Sequence, residues 1–515
     1  MESSQSVPSN WPTISIITLL FIILILKKLK TKKSPNLPPG PWSIPLLGSM
    51  HHLLGYIPHQ RMRDLSKKYG PIMHLKFGET SNIIISSPEI AKQIFKTHDI
   101  TFSQRPLMLS AKGISYNYKD ITFAAYGDYW RQLRKISTME LLTVKRVRSF
   151  RHIREEESSR LVEAIGSSEP AGKPVNFSWL ITYTIYRIVS RAAFRKIWNK
   201  EDVFLSCLKK LKMELGRGVS VADAYPSIKW LQKFSSIKAR ADKLQEPIDE
   251  IFQGILDEHK AARKGEVSKV KDDDGKVEDL VDVLLNLQEE GGYEFPLCDD
   301  TIKAMIMDAF VAGTDTSSTA IVWGMAQLMR HPKVMAKVQA EIREKYNAKG
   351  TVDEETLQEL NYFSLVVKET LRLHPPAPLL VPRECRESCV IAGYDIPVKS
   401  KIMVNMWAMA RDESIWEDAT EFKPERFLGS SLDYKGNNYE YIPFGSGRRI
   451  CPGITLGIAN IELPFAKLLF HYDWKLGAGM KPEDVDMEED IGASAKRKND
   501  LYLIPVPYVP PTSTN

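Results

Sequence analysis

Residues 443–453 read Pro-Phe-Gly-Ser-Gly-Arg-Arg-Ile-Cys-Pro-Gly, and the stretch turns on Cys451. A thiolate is a soft anionic ligand, and Arg448 and Arg449 beside it favour that form over the thiol. Gly445, Gly447 and Gly453 let the backbone fold tightly and come close to a flat ligand. No second cysteine or histidine lies nearby, which excludes a zinc knuckle or an iron–sulfur site, since both need several protein ligands. One thiolate, with the other positions filled by something else, is how a thiolate-ligated haem is held. The alternative is an inert buried cysteine in a glycine-rich turn.

The spacing of Phe444, Gly447, Arg449, Cys451 and Gly453 resembles the haem-binding signature of the cytochrome P450 superfamily, and the resemblance runs from around Pro35 to the C-terminus. It implies a mainly α fold with small β-sheets, and haem b (iron protoporphyrin IX) as cofactor. It also implies that Cys451 is the axial ligand of the haem iron, that Arg449 meets a haem propionate and that Phe444 shields the sulfur.

Upstream, residues 301–330 have a long helical pattern that ends near His331-Pro332. Glycine inside a helix costs roughly 1 kcal/mol against alanine, so Gly313 calls for a reason. Small residues there allow a ligand to approach and the helix to widen locally. Thr316 can bond a carbonyl one turn back or a diatomic ligand, and Asp315 can link it to water. The run Ala312-Gly313-Thr314-Asp315-Thr316-Ser317 resembles the oxygen-binding motif of the family's central helix. That resemblance implies catalytic roles for Thr316 and Asp315 and a haem-side position for Gly313. Three, four, seven and eight residues before Thr316 stand Gly313, Ala312, Ala309 and Asp308, on one helix face. Three of these are small and leave room for a substrate. Asp308 reads either as a solvated or helix-paired carboxylate or as a group that orients a substrate hydroxyl.

Glu369 and Arg372 stand one helical turn apart, and an exposed pair of that kind is worth only about 0.5 kcal/mol. Followed by His374-Pro375-Pro376 and by Phe422-Lys423-Pro424-Glu425-Arg426-Phe427, they resemble the family's Glu-x-x-Arg helix and its later arginine motif. Glu369, Arg372 and Arg426 are then a buried structural triad. Trp130 and Arg134 share a helix face, both with N–H donors suited to carboxylates. They resemble the family's Trp-x-x-x-Arg helix, and with Arg383 they are implied propionate contacts.

Three regions organise the chain. Residues 1–30 form a membrane anchor with residues 11–26 spanning, 31–48 a basic and proline-rich hinge, and 49–515 a haem-thiolate catalytic domain. Residues 14–26, Ile-Ser-Ile-Ile-Thr-Leu-Leu-Phe-Ile-Ile-Leu-Ile-Leu, are apolar, and from Trp11 the segment is about 16 residues, near the lower limit for a span. Lys27, Lys28, Lys30, Lys32 and Lys33 follow and place that side in the cytosol. No small-residue cleavage site follows, which argues against a removed signal peptide. The expected location is the endoplasmic reticulum membrane, single-pass, with the catalytic domain facing the cytosol. Short strands are expected at 74–77 and 83–86 with a turn at Gly78-Glu79. Mostly helix follows from Pro88, then extended segments across 377–405 and a strand at 501–505. The charged run at 269–279 reads as a solvated loop.

The net charge of +6 is modest, and no nucleic-acid motif accompanies it. Five cysteines, one at each of positions 207, 298, 385, 389 and 451, indicate no disulfide framework. Cys385 and Cys389 read as incidental. No glycine-rich flavin or nicotinamide fingerprint is present, so electrons come from another protein. The resemblance implies NADPH–cytochrome P450 reductase as donor, with cytochrome b5 as a second partner and NADPH used only indirectly. Arg448 is a candidate contact for an acidic partner. Leu107, Met108, Leu109, Ile114 and Ile121 in the 107–123 loop stand where the family lines its pocket. So do Ala377, Leu380 and Val381 in the 377–381 segment, and this lining predicts an apolar substrate. The motif wording resembles the plant group that oxidises terpenoids, alkaloids and phenolics. Terpenoid hydroxylation is the first choice, with alkaloid or phenolic oxidation next. The rivals are a reductase-independent haem-thiolate isomerase or lyase and a non-enzymatic haem-binding electron carrier or sensor.

Overall fold

The computed structural model describes residues 35–510 apart from 168–171, 198–200, 217–219, 234, 266–277, 491 and 493. The apolar segment at 11–26, the lysines after it and most of the 269–279 run lie outside the described residues. Among the described residues, no helix is long and apolar enough to cross a membrane.

Nine helices carry the argument: α1 (Pro58–Tyr69), α2 (Asp128–Ile136), α3 (Arg151–Gly166), α4 (Phe177–Phe194), α5 (Ser236–Arg263), α6 (Asp299–Arg330), α7 (Pro332–Tyr346), α8 (Asn361–Leu373) and α9 (Ile454–His471). The longest, α6, has 32 residues and so spans about 48 Å. Asp299 and Asp300 in its first turn and Arg330 in its last suit the helix dipole. Pro332, which cannot extend α6, opens α7. The long helix is held because about two thirds of it is buried, with α4 against one side and α9 against another. Phe310 is the hub on the α4 side, with ring centroids 5.2 Å from Phe194 of α4 and 5.0 Å from Phe204 of the helix Glu201–Gly216. At the second contact Gly324 meets Phe465, and a Cβ there would stand 2.9 Å from the ring.

The strands are β1 (Ile72–Phe77), β2 (Thr80–Ile85), β3 (Val175–Asn176), β4 (Arg383–Glu384), β5 (Cys389–Ile391), β6 (Tyr394–Ile396), β7 (Lys401–Val404), β8 (Tyr472–Lys475) and β9 (Tyr502–Pro507). β1 and β2 form the expected hairpin, with Gly78 at φ +57° in the turn. β2 then pairs in parallel with β7, Ile85 opposite Val404, and β4 closes the sheet in the order β1-β2-β7-β4. A second sheet runs β3-β9-β8 and a third is the β5-β6 hairpin.

Glu369 and Arg372 on α8 are fully buried, not exposed. Arg372 Nε and Nη2 donate to the two Glu369 oxygens at 2.7 and 2.9 Å, and Arg426 Nε donates to Glu369 Oε1 at 3.0 Å. Arg372 also donates to the carbonyls of Ala410, Ala419 and Glu421. The expected triad therefore ties α8 to the segment that leads into the Cys451 loop. All five cysteines are free thiols.

Candidate functional site

The Cys451 loop is fixed by its own backbone. Cys451 N–H donates to the Phe444 carbonyl at 3.0 Å, and Gly445 N–H to Ile442 at 2.9 Å. Gly447 sits at φ +67°, and a Cβ on it would lie 2.5 Å from Asp99 Oδ1 and 2.6 Å from the Phe95 carbonyl. Conformation and space both require glycine there. Asp99 Oδ2 accepts the Arg448 N–H at 3.1 Å, and Asp99 Oδ1 accepts from Arg383 Nη1 at 2.9 Å. Arg383 Nη2 also donates to the Ser446 carbonyl at 2.6 Å. The Phe444 ring packs edge-on to Tyr434, with centroids 5.6 Å apart.

Burial pushes the Cys451 thiol above its ordinary range, opposed by the Gly453 backbone N–H and the charge of Arg134. The expectation that Arg448 and Arg449 favour the thiolate is therefore corrected. Arg448 is ion-paired with Asp99, and Arg449 turns away to the carbonyls of Ser103, Ile121 and Ala124. The cation that acts on the sulfur is Arg134, whose Nη1 donates to the Ile450 carbonyl at 2.6 Å.

Arg449 stacks 4.2 Å over the Trp130 ring, and Trp130 Nε1 donates to the Ile121 carbonyl at 3.0 Å. Arg105, which carried no sequence signal, joins them: its Nε donates to the Thr122 carbonyl and its Nη1 to those of Val381 and Pro382. Arg105, Arg383 and Arg449 are buried together, and burial disfavours the charged form of all three, with neighbouring positive charges adding to this at Arg105 and Arg449. Burial and the charges of Arg383 and Arg134 bring Arg449 down to about 9, while Asp120 resists. Burial and the charges of Arg449 and Arg383 push Arg105 well down. Such a cluster of buried cations satisfied mostly by carbonyls favours an anion.

On α6, residues 301–307 and 317–329 are buried, but between Asp308 and Thr316 only Phe310 and Thr314 are. Asp308, Ala309, Ala312, Gly313 and Thr316 thus lie in a two-turn window in an otherwise buried helix. A Cβ on Gly313 would meet only Val189, at 3.5 Å, so packing does not demand glycine there. The helix stays α-helical through this window, without the expected local widening. Thr316 Oγ1 donates to the Ala312 carbonyl at 2.6 Å. Asp315 accepts from Ser494 on the C-terminal segment, a residue that sequence reading missed. Asp308 is neither solvated nor paired along its own helix: it accepts Ile121 N–H and Thr122 Oγ1, each at 2.8 Å.

The apolar lining residues divide. Ala377 and Leu380 are partly accessible, and Leu380 has an unusual φ of +52°. Val381 is exposed, Ile114 is buried in the core, and Leu107 is 65% exposed at the surface.

One cysteine in a loop fixed by its backbone, a cluster of buried arginines and an accessible window in a long helix together make up the plan of a haem-thiolate protein. The chain belongs to the cytochrome P450 family, whose model matches residues 38–503. It is a haem-thiolate monooxygenase of the kind supplied with electrons from NADPH through a reductase. It is 59% identical over 512 residues to cytochrome P450 71D445 of Euphorbia lathyris, covering 99% of each chain. It is 49% identical to premnaspirodiene oxygenase of Hyoscyamus muticus, covering 96% of this chain and 98% of that one. It is 47% identical, with the same coverage, to 5-epiaristolochene 1,3-dihydroxylase of Nicotiana tabacum. The fold matches a zebra fish cytochrome P450 solved with progesterone, with a TM-score of 0.74 at 22% identity, covering 87% of this chain and 99% of that one.

Proposed function

We propose that the chain hydroxylates an apolar plant specialised metabolite, a terpenoid first of all, at the α6 window. The observation that carries this reading is the window itself: small accessible residues, Ala309, Ala312 and Gly313, beside Thr316 in a buried helix. The relatives named for terpenoid oxidation support the substrate class.

The donor set fits haem. Cys451 offers one sulfur in a loop of fixed shape. Arg105, Arg134, Arg383, Arg449 and Trp130 offer N–H groups and surplus positive charge for two propionates. Phe444 covers the sulfur side. Haem bound through Cys451 supplies dioxygen activation and oxidation of an unactivated C–H bond. In the remaining steps the protein's own groups act. Arg134 and the Gly453 N–H favour the thiolate against burial. The Thr316 hydroxyl, released from Ala312, presents a proton into the window, and Asp315 passes protons from the Ser494 side. Ala377, Leu380 and Val381, with Ile114 behind them, keep water from an apolar substrate.

Residues 11–26 anchor the chain in the endoplasmic reticulum membrane, residues 31–48 serve as hinge, and the body from residue 49 onward faces the cytosol. Exposed Trp42, Leu46, Leu54, Val221 and Trp230 support a membrane-facing side, and the Tyr225 hydroxyl, which donates to the Leu46 carbonyl, joins the two segments. NADPH–cytochrome P450 reductase docks over a groove of about 840 Å³ that reaches Ser446, Gly447 and Ile450 of the cysteine loop and carries Lys92, Lys96 and Lys435.

A carbon-monoxide difference spectrum and NADPH-dependent turnover of a terpene, alkaloid and phenolic panel test this. A thiolate-type band and reductase-dependent terpene hydroxylation are expected. Equal turnover without reductase, or no thiolate band, would overturn it.

A further inference from the structure

Two consecutive loop residues tie three walls of the site together. Asp308 on α6 takes the Ile121 N–H and the Thr122 hydroxyl. The Thr122 carbonyl takes Arg105, which also holds Val381 and Pro382. The Ile121 carbonyl takes Trp130 and, at 3.2 Å, Arg449. The 115–124 loop is therefore pinned to α6 through one carboxylate.

The residue before Ile121 is Asp120, 2% exposed, whose Oδ1 accepts the Phe123 N–H at 3.0 Å. Asp120 directly precedes Ile121, whose N–H Asp308 accepts, so the two carboxyl groups are brought to the same seam and Asp120 feels the Asp308 charge. Two carboxyl groups facing one seam resist joint ionisation, and one shared proton turns their repulsion into a hydrogen bond. Arg105 and Arg449 face Asp120 from neighbouring segments, Tyr118 and Tyr129 stand near it, and Lys119 is engaged with Asp300. Burial, with the charge of Asp308 added, pushes Asp120 well up. Burial also pushes Asp308 up to about 6, against the bonds from Thr122 and Ile121.

We propose that Asp308 and Asp120 share one proton across the seam between α6 and the 115–124 loop, and that this pair latches the loop as a closed wall of the substrate pocket. Asp308 is then a positioning residue, not a substrate ligand, because both its oxygens are committed to the loop. When the proton leaves to solvent, two like charges remain and the wall loosens. The latch rests on the monooxygenase reading of the pocket and deepens it.

The test uses the full-length holoenzyme between about pH 5.5 and about pH 8.5, a range that brackets a raised carboxyl pair. Two readouts are followed: hydrogen–deuterium exchange over residues 115–124, corrected for intrinsic rate, and the on-rate of 4-phenylimidazole read from its Soret shift, expressed per neutral imidazole so that the probe's own titration is removed. Both should rise with pH in the unsubstituted enzyme. Asp308→Ala should raise both about tenfold at every pH, as for a latch worth that factor. Asp120→Asn keeps both Asp308 acceptors and supplies an amide donor, so it should hold the loop closed and flatten the pH profile. A flat profile in the unsubstituted enzyme, or an unchanged rise in Asp120→Asn, would overturn the latch, even if Asp308→Ala does not fold. A carbon-monoxide difference spectrum on the same preparation separates the two readings. A missing thiolate band overturns the haem-thiolate assignment, whereas an intact band with an unmoved loop overturns the latch alone.

Discussion

The Thr316 hydroxyl donates to the Ala312 carbonyl at 2.6 Å, one turn back along α6. The neighbouring Asp315 points to Ser494 on the C-terminal segment. In the proposed proton path, Thr316 exchanges this internal partner for a reacting oxygen. Thr316→Ala should uncouple the reaction: NADPH consumption continues, peroxide accumulates and product per NADPH falls about tenfold, within the usual range for loss of a positioned proton donor. Thr316→Ser should restore much of the coupling. Unchanged coupling in Thr316→Ala, measured as product and peroxide per NADPH, would remove Thr316 from the proton path.

Arg105 has no ion-pair partner within 4 Å among the described residues, yet it is 6% exposed beside Arg383 and Arg449. Its burial is explained if the cluster receives propionate charge. Arg105→Gln should speed haem loss to apomyoglobin about tenfold, the equivalent of one hydrogen bond to a charged group. The thiolate band position should stay fixed, because the Arg105 hydrogen bonds go to Thr122, Val381 and Pro382 and not to the Cys451 loop. A shifted band with unchanged haem retention would mean that Arg105 acts through the sulfur and not through the propionates.

Local spacing made part of this site legible. Cys451, Gly447 and the Glu369–Arg372–Arg426 triad follow from short motifs, because each motif sits in one loop or helix turn that the backbone shapes by itself. Helical period alone grouped Asp308, Ala309, Ala312 and Gly313, and they do share the α6 window. Partner choice was not legible. Arg449 lies two residues from Cys451, but its guanidinium satisfies carbonyls more than 300 positions away, whereas the remote Arg134 reaches the sulfur loop. Asp99, Arg105, Asp120 and Ser494 have no periodic or motif context, and only the folded chain brings them to the site. Gly313 invites a local widening of the helix on sequence grounds, but the backbone stays regular through the window.

Glu369 is fully buried between Arg372 and Arg426, and it also accepts the Lys423 N–H at 2.8 Å. Glu369→Ala would leave Arg372 buried without its carboxylate. The expected cost is about 3–5 kcal/mol, characteristic of breaking a buried pair from one side. Urea unfolding of the holoenzyme, together with haem content after expression, should show both a lower midpoint and less bound haem. A loss below about 1 kcal/mol, the scale of an exposed pair, would contradict the triad's structural role.

Glu489 gives the acid response a definite sign. It accepts from His59 Nε2 at 2.6 Å, Gln60 at 2.8 Å and Trp407 Nε1 at 2.9 Å, joining α1 to the C-terminal segment. Burial alone would raise its carboxyl, but the His59 bond and the charge of Arg411 hold it down at about 2. A carboxyl depressed in the folded state contributes stability above its ordinary range near 4.5, and that stability is lost as pH falls toward 2. Glu489→Gln should therefore cost up to about 3 kcal/mol at neutral pH and little near pH 2, flattening the acid limb of the stability curve. Chemical unfolding from about pH 7 down to about pH 3 would measure this. Parallel curves for Glu489→Gln and the unsubstituted protein would show that the carboxylate charge is not what holds α1 to the C-terminal segment.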